Sequence, residues 1–335
     1  MASTHDSLVS VVTPVYNGER YLRECIDSVL AQTYEHWDYT IVNNCSTDRT
    51  LDIAREYAAR DSRIRIHNNE SFFSVIENYN IAFRQISPKS KYCKVVAADD
   101  MILPECLEKM VRLAEEHTNV AIVGAYGLYS RAEMGVYCKG VPYPRTVLPG
   151  RELARAYLLG QGPSVWGAST FVLFRSDIVR SRHAFYNESN IHADSETCLE
   201  CLEHHDFGFV HQVLTFMRIQ EGSLTSVSQR LNTYLPYRLD VLTKYGPKHL
   251  SEEELKQQIR KCLQEYYRYL AWQASKGCGP DFWNFHRGKL AALGYPLSPA
   301  RLAAYVVSYA LDLALNPKRT VERGARRVRG ILSRP

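Results

Sequence analysis

The sequence predicts an α/β protein with a mostly parallel sheet flanked by helices, followed by a helical C-terminal extension. Three observations predict it. Short apolar runs alternate with amphipathic helical segments through the first 130 residues. The runs are nearly continuous in apolar residues, as strands covered on both faces are. Toward the C-terminus, from about residue 251, two long stretches carry helical periodicity instead.

Each element follows from its pattern. LVSVVTPVY (8–16) reads as a strand, and Tyr21, Leu22, Cys25, Ile26, Val29 and Leu30 then share one helix face. WDYTIVNN (37–44) is a second strand, followed by a helix from about Asp48 to Ala59. RIRIHN (63–68) is a third strand; Phe72, Val75, Ile76, Tyr79, Phe83 and Ile86 mark the helix after it. KYCKVVA (91–97) is a fourth strand, Pro104 opens a fourth helix, and AIVGAYGLYS (121–130) is a fifth strand. In the extension, SEEELKQQIRKCLQEYYRYLAWQAS and LSPARLAAYVVSYALDLAL each read as a long helix. In the second, Arg301, Ser308 and Asp312 recur at helical spacing and leave the rest apolar.

Composition narrows the classes. With 335 residues, 45% apolar and 23% charged, the chain has the make-up of a soluble globular protein. Its opening, MASTHDSLVS, lacks the basic and apolar stretches of a secretory leader. No segment reaches the ~18 uncharged apolar residues of a membrane span. Nine scattered cysteines suit reduced thiols, and the expected location is cytoplasmic. Cys198-x-x-Cys201 has no second such pair and reads as one helix face; His204 and His205 after it point apart. The net charge of +5 is concentrated: residues 317–335 hold seven Lys/Arg and one Glu. That tail lacks interleaved aromatics, which argues against nucleic acid. Behind an amphipathic helix it points to peripheral contact with an anionic membrane, with packing against the protein as the alternative.

Parallel sheets bind ligands beyond the carboxyl ends of their strands. Here those ends are polar: Thr13 to Glu19, Asn43 to Asp48, Asn68 to Ser74, and Asp99-Asp100. Neither GxGxxG nor GxxxxGK[ST] is present, so the usual dinucleotide and phosphate loops are disfavoured. KVVAADD (94–100) ends an apolar run on two adjacent carboxylates, which at roughly 5 Å and an effective dielectric near 20 repel by about 3 kcal/mol. A divalent cation bridging to substrate phosphates would relieve that repulsion. Capping of the helix opened by Pro104 is the plainer alternative.

The strings VSVVTPVYNGERYLRECIDSVLAQTY, IVNNCSTDRT, VVAADDMILPECLEKM, PSVWGASTFVLFR, HADSETCLECL and FGFVHQVLTFMRIQEGSLTS, in that order, resemble the inverting family 2 glycosyltransferases of the GT-A fold. The resemblance covers roughly residues 7 to 228 and ends at about Gln229, which implies a nucleotide-sugar-binding α/β domain over residues 1–229 and a helical region over 230–335. It implies transfer of a sugar from a nucleotide-diphosphate sugar, UDP first, to a hydroxyl of a glycan or lipid-linked glycan. By the same resemblance Thr13, Pro14, Tyr16, Asn17 and Glu19 belong to the donor site, as do Asn43, Asn44 and Ser46, where the family usually has Asp-Asp-Gly-Ser. Asp99 faces ribose or metal, Asp100 ligates the metal (Mn²⁺ or Mg²⁺), and Arg218 either contacts phosphate or caps the sheet edge. Asp194 is the general base, with an ordinary helix N-cap as the plainer alternative; Glu196 is a lesser candidate for the acceptor, and Trp166 is either a core residue or a platform for a sugar face. Three positions depart from the pattern: Asn43-Asn44, Ala97 in place of the first acid of the metal motif, and Gln220 where a histidine is frequent. They motivate a rival reading, a nucleotide-sugar-binding protein that has lost catalysis.

Overall fold

The computed structural model describes residues 7–130, 134–163, 165–220 and 224–315. They form two compact units, one up to Ser228 and one from Gln229 onward. The first begins with the alternation read from the sequence: β1 (Val9–Val15), α1 (Leu22–Leu30), β2 (Trp37–Asn43), α2 (Thr50–Ala58), β3 (Ile64–Asn68), α3 (Val75–Arg84) and β4 (Tyr92–Val95). Next come β5 (Met101–Ile102), α4 (Cys106–Glu116), β6 (Val120–Ser130), β7 (Met134–Tyr137), β8 (Val147–Leu148) and α5 (Gly150–Leu159). A 3-10 turn (Ser169–Phe171) leads into β9 (Val172–Arg175), then α6 (Ser176–Arg180), α7 (Ala193–Cys201), β10 (Asp206–Arg218) and α8 (Leu224–Leu231).

The strands form one sheet in the order β3-β2-β1-β4-β9-β6-β10-β5, with β7 on β6 and β8 on β10. β1 pairs in parallel with β2 and β4, β2 with β3, and β10 with β6. β9 runs antiparallel between β4 and β6, so β1–β4, β6 and β10 all point one way. Every residue of β1 is buried, because helices cover both faces. α1 buries Leu22, Cys25, Ile26 and Val29, the stripe its periodicity marks. The third helix starts later than its apolar pattern suggests. Ser74 and Glu77 close a capping box there, which stops the helix short of Phe72. Phe72 is left 61% exposed at the sheet's carboxyl edge.

The second unit contains α9 (Tyr234–His249), α10 (Glu252–Ala274), α11 (Pro280–Ala292) and α12 (Pro299–Leu315). Ser251 and Glu254 cap α10 reciprocally. α12 packs on α10 through Tyr305 stacked on Tyr267 at 5.7 Å, with the Arg301 guanidinium 4.5 Å from the centre of the same Tyr267 ring. Arg301 and Asp312 are half-buried, so two of the three polar positions do not mark the solvent side. The exposed positions are Ala303, Ala304, Val307, Ser308, Ala310, Leu311, Ala314 and Leu315, apolar but for Ser308. No described helix is long and apolar enough to cross a membrane. The basic stretch 317–335 lies outside the described residues.

Candidate active site

Parallel pairing in the order β3-β2-β1-β4 sets four strand ends side by side, and their loops are laced together. Asn17 N–H donates to Ser46 Oγ (2.9 Å), and Asn17 Oδ1 accepts from Thr47 N–H (2.8 Å). Gly18 N–H donates to Thr50 Oγ1 at 2.8 Å; a Cβ on Gly18 would sit 2.6 Å from Val15 Cγ2, so the close turn needs glycine. Glu19 Oε2 accepts from Arg49 N–H, and Asp48 Oδ2 from Glu19 N–H, each at 3.0 Å. Tyr16 stands above this lacing, 49% exposed, edge-on to Phe72 with ring centres 4.8 Å apart.

The residues expected at the donor site thus divide. Tyr16, Asn17, Glu19 and Ser46 lie on the open loops, whereas Thr13 and Pro14 are buried in β1. The Thr13 hydroxyl donates to Val96 O and meets Tyr39 OH, both at 2.8 Å. Asn43 Nδ2 donates to Asn68 Oδ1 (2.6 Å). Asn44 Nδ2 donates to Phe73 O (2.8 Å), while its Oδ1 accepts from Phe73 N–H and Asn69 Nδ2. Both amides are 1–2% exposed and order the loop after β3; they do not face solvent.

The acidic tip lies between β4 and β5, and β5 pairs with the end of β10. Pairing of Phe216 with Met101 and Thr215 with Ile102 brings Arg218 alongside Asp99 and Asp100. Asp100 is 2% exposed; its Oδ2 accepts from the Thr170 hydroxyl (2.6 Å) and its Oδ1 from Arg218 N–H (3.1 Å). Asp99 Oδ2 accepts from Gln220 Nε2 (2.8 Å). Arg218 Nη1 donates to Asp99 O (2.8 Å), its Nη2 pairs with Glu24, and its guanidinium lies 4.5 Å from the Tyr21 ring centre. Burial, and then the charge of Asp99, hold the Asp100 carboxyl well above the usual carboxylate range. Burial also raises Asp99, against the Gln220 hydrogen bond.

Asp194 occupies the first turn of α7, one residue inside the helix rather than at its cap, and its Oδ1 accepts from Ser195 N–H at 2.7 Å. Burial pushes its carboxyl up to about 6. It shares surroundings with the acidic pair: the charges of Asp100, Asp99 and Asp194 all raise the Tyr79 phenol, after burial itself. Tyr79 stacks on Tyr186 at 5.9 Å, and Tyr186 OH meets Ser169 Oγ at 2.9 Å. Two expected contacts are turned inward. Glu196 is 1% exposed, and its Oε2 accepts from Asn187 and Asn190 Nδ2 (3.0 and 2.7 Å), holding the loop before α7. Trp166 is 6% exposed, packed on Tyr157 and Phe207. Sequence reasoning missed Thr170, Glu24 and Tyr79 as residues of the site. Only long-range pairing brings them in.

The family model for glycosyl transferase family 2 matches residues 10–136, the span from β1 through the acidic tip to β7. Over that span the chain is similar to glycosyltransferase family 2. An uncharacterized glycosyltransferase of Haemophilus influenzae is 36% identical over 119 residues, 36% of each chain. Putative glycosyltransferase EpsE of Bacillus subtilis is 32% identical over 166 residues, 45% of this chain and 59% of that one. The match therefore spans between about a third and three fifths of these relatives' length. Among solved structures, Staphylococcus aureus TarS 1–349 in complex with UDP-GlcNAc superposes with a TM-score of 0.61 at 17% identity, covering 95% of this chain and 91% of that one. Mannosyltransferase PcManGT from Pyrobaculum calidifontis, in complex with GDP-Man and Mn²⁺, gives 0.54 at 16% identity, covering 93% and 82%. The chain thus has the GT-A fold its sequence predicts, with a mostly parallel sheet flanked by helices and a helical C-terminal region.

Proposed function

We propose that the chain is an inverting glycosyltransferase that moves a sugar from a nucleotide-diphosphate sugar to a hydroxyl of a glycan or lipid-linked glycan. One observation carries the reading: Asp99, Asp100 and Asp194 converge electrostatically on Tyr79 at the carboxyl edge of the parallel strands. Asp194 takes the acceptor hydroxyl's proton as that oxygen attacks the anomeric carbon. The bond from that carbon to the diphosphate oxygen breaks, and the nucleoside diphosphate leaves from the opposite face. A base raised to about 6 is still ionised at neutral pH and close enough to it to accept a proton well. Arg218, fixed by Glu24 and Asp99, places positive charge beside the acidic tip.

Asp99 and Asp100 fit a hard divalent cation, since both offer oxygen and both are held above their usual range by burial. Among the described residues no three His, Cys, Asp or Glu side chains are grouped to hold a metal. Diphosphate oxygens and water would therefore complete the shell. The chemistry supplied when such a cation is bound is neutralisation of charge developing on the leaving diphosphate.

For the base, UDP is the first expectation; the neighbouring structures carry UDP-GlcNAc in one case and GDP-Man in the other. A peripheral contact with anionic membrane belongs to the same proposal. The apolar outer face of α12 and the basic residues that follow it in sequence support it.

The deciding experiment is calorimetric titration with UDP and GDP, each with Mn²⁺, with Mg²⁺ and with chelator, alongside donor hydrolysis. Cation-dependent binding of one nucleotide is expected. Asp194→Asn should keep that binding and lower hydrolysis about 10²–10⁴-fold, and the wild-type rate should fall as pH drops through about 6. Hydrolysis surviving in Asp194→Asn would remove Asp194 as the base. Binding without any turnover would favour the catalytically degenerate reading that Ala97 and Gln220 suggest.

A further inference from the structure

β4 contains one residue at odds with its setting. Lys94 has no exposed surface, and among the described residues it makes no ion pair. Its ammonium donates to Thr170 O at 2.6 Å and to Val172 O at 3.2 Å, with Met110 Sδ 3.8 Å away. Burial pulls its pKa down, the mark of a charge held without compensation. Two carbonyls are a modest return for an ammonium taken out of water. What those carbonyls belong to explains more.

The ladder between β4 and β9 ends at the pair Lys94–Leu173. Beyond it, toward the acidic tip, the chain of β9 becomes the 3-10 turn Ser169–Phe171, and strand pairing no longer ties it to β4. The Lys94 side chain takes over at that point. On the far side of the same residue, the Thr170 hydroxyl donates to Asp100 Oδ2 (2.6 Å) and accepts from Ala97 N–H (3.1 Å). Lys94 therefore grips Thr170 by its carbonyl while Thr170 grips the acidic tip by its hydroxyl.

We propose that Lys94 is a positioning residue of the donor site: its ammonium fixes the 3-10 turn so that the Thr170 hydroxyl holds Asp100 in the orientation that receives a cation-bound diphosphate. The inference rests on the donor-site reading above.

The test separates positioning from mere structural support. Lys94→Met keeps the length and removes the charge; apolar replacement of a buried charged group is often neutral or stabilising. Its melting temperature should equal or exceed wild type, while UDP binding in Mn²⁺ weakens at least tenfold and UDP binding in chelator is unchanged. Thr170→Val should reproduce the loss, and Thr170→Ser, which keeps the hydroxyl, should restore affinity to within about threefold. Should Lys94→Met fail to fold, the Thr170→Val and Thr170→Ser pair decides alone. Lower melting with undiminished Mn²⁺-dependent affinity would make Lys94 a structural residue and overturn the proposal, as would equal affinities for Thr170→Val and Thr170→Ser. If wild-type protein binds no nucleotide under any condition, the donor-site reading falls, and this inference with it.

Discussion

At Cys45 the backbone turns left-handed, with φ +56°, at the position where the family's usual Asp-Asp-Gly-Ser has glycine. An L-residue with a Cβ pays about 1–2 kcal/mol for that conformation, whereas glycine loses roughly 0.5–1 kcal/mol more backbone freedom on folding. The Cys45 thiol recovers little through its contact with Asn69 O at 3.3 Å. Cys45→Gly should therefore stabilise the protein by about 0.5–1 kcal/mol in urea unfolding, and Cys45→Val should destabilise it. A loss on Cys45→Gly would show that the thiol contact outweighs the strain. At this scale the sequence identifies chemistry better than direction. Asp99 and Asp100 could be located because adjacent carboxylates at the end of an apolar strand are anomalous, and Arg218 because its surroundings resemble a family motif. That Asn43 turns to Asn68, 25 residues on, or that Glu196 turns to Asn187 and Asn190, depends on loop paths that no local pattern encodes. Lys94 was passed over as part of an apolar run; only the 3-10 turn, 76 residues away, gives it meaning.

Elements are legible where caps and periodicity agree. α3 and α10 each begin at a Ser-x-x-Glu box, and α1 buries the stripe its spacing marks. The two-residue strands β5 and β8 are too short to carry a period, and pairing with β10 alone creates them. α12 shows a different limit. Its periodicity locates the helix, but not which side meets α10, since Arg301 can lie over Tyr267 as readily as in water. The outcome leaves Val307 58%, Leu311 54% and Leu315 76% exposed. Burying such side chains is worth roughly 1.5–3 kcal/mol each when complete. The full chain should co-float with vesicles of phosphatidylglycerol and phosphatidylcholine, more weakly with phosphatidylcholine alone. Val307→Glu combined with Leu311→Glu should cut retention by about tenfold or more. Removing residues 317–335 should weaken it chiefly at low salt. Retention indifferent to both changes would sink the membrane contact.

At the scale of the whole molecule, the two units carry buried titratable groups of opposite sign. His286 has no exposed surface and packs against Phe282 at 4.3 Å, with its Nδ1 2.7 Å from Tyr266 OH. Burial lowers its pKa to about 4 from 6.5. The unfolded chain then binds the proton first, so this contribution to the stability of the second unit is whole above pH 6.5 and drains away as pH falls toward 4. Asp194 in the first unit runs the other way. Its folded carboxyl titrates near 6 against 3.8 in the unfolded chain, so its contribution is whole below 3.8 and is lost as pH rises through 6. Asp99 and Asp100 share that sign, while His205, lowered by burial, opposes it weakly from a partly exposed position. Each group changes stability by up to ~1.4 kcal/mol per pH unit inside its window. Acidifying chelated protein from about pH 7 to about pH 5 should therefore raise the melting of the unit ending at Ser228 and lower that of the unit beginning at Gln229. Tryptophans divide evenly for the measurement: Trp37 and Trp166 report on one unit, Trp272 and Trp283 on the other. Fluorescence melts of Trp272→Phe/Trp283→Phe protein follow the first unit alone, and far-UV circular dichroism adds the second. A common downward shift of both transitions would mean that Asp194 stays ionised in the fold, and with it the pH limb expected for the transfer reaction would move below 6.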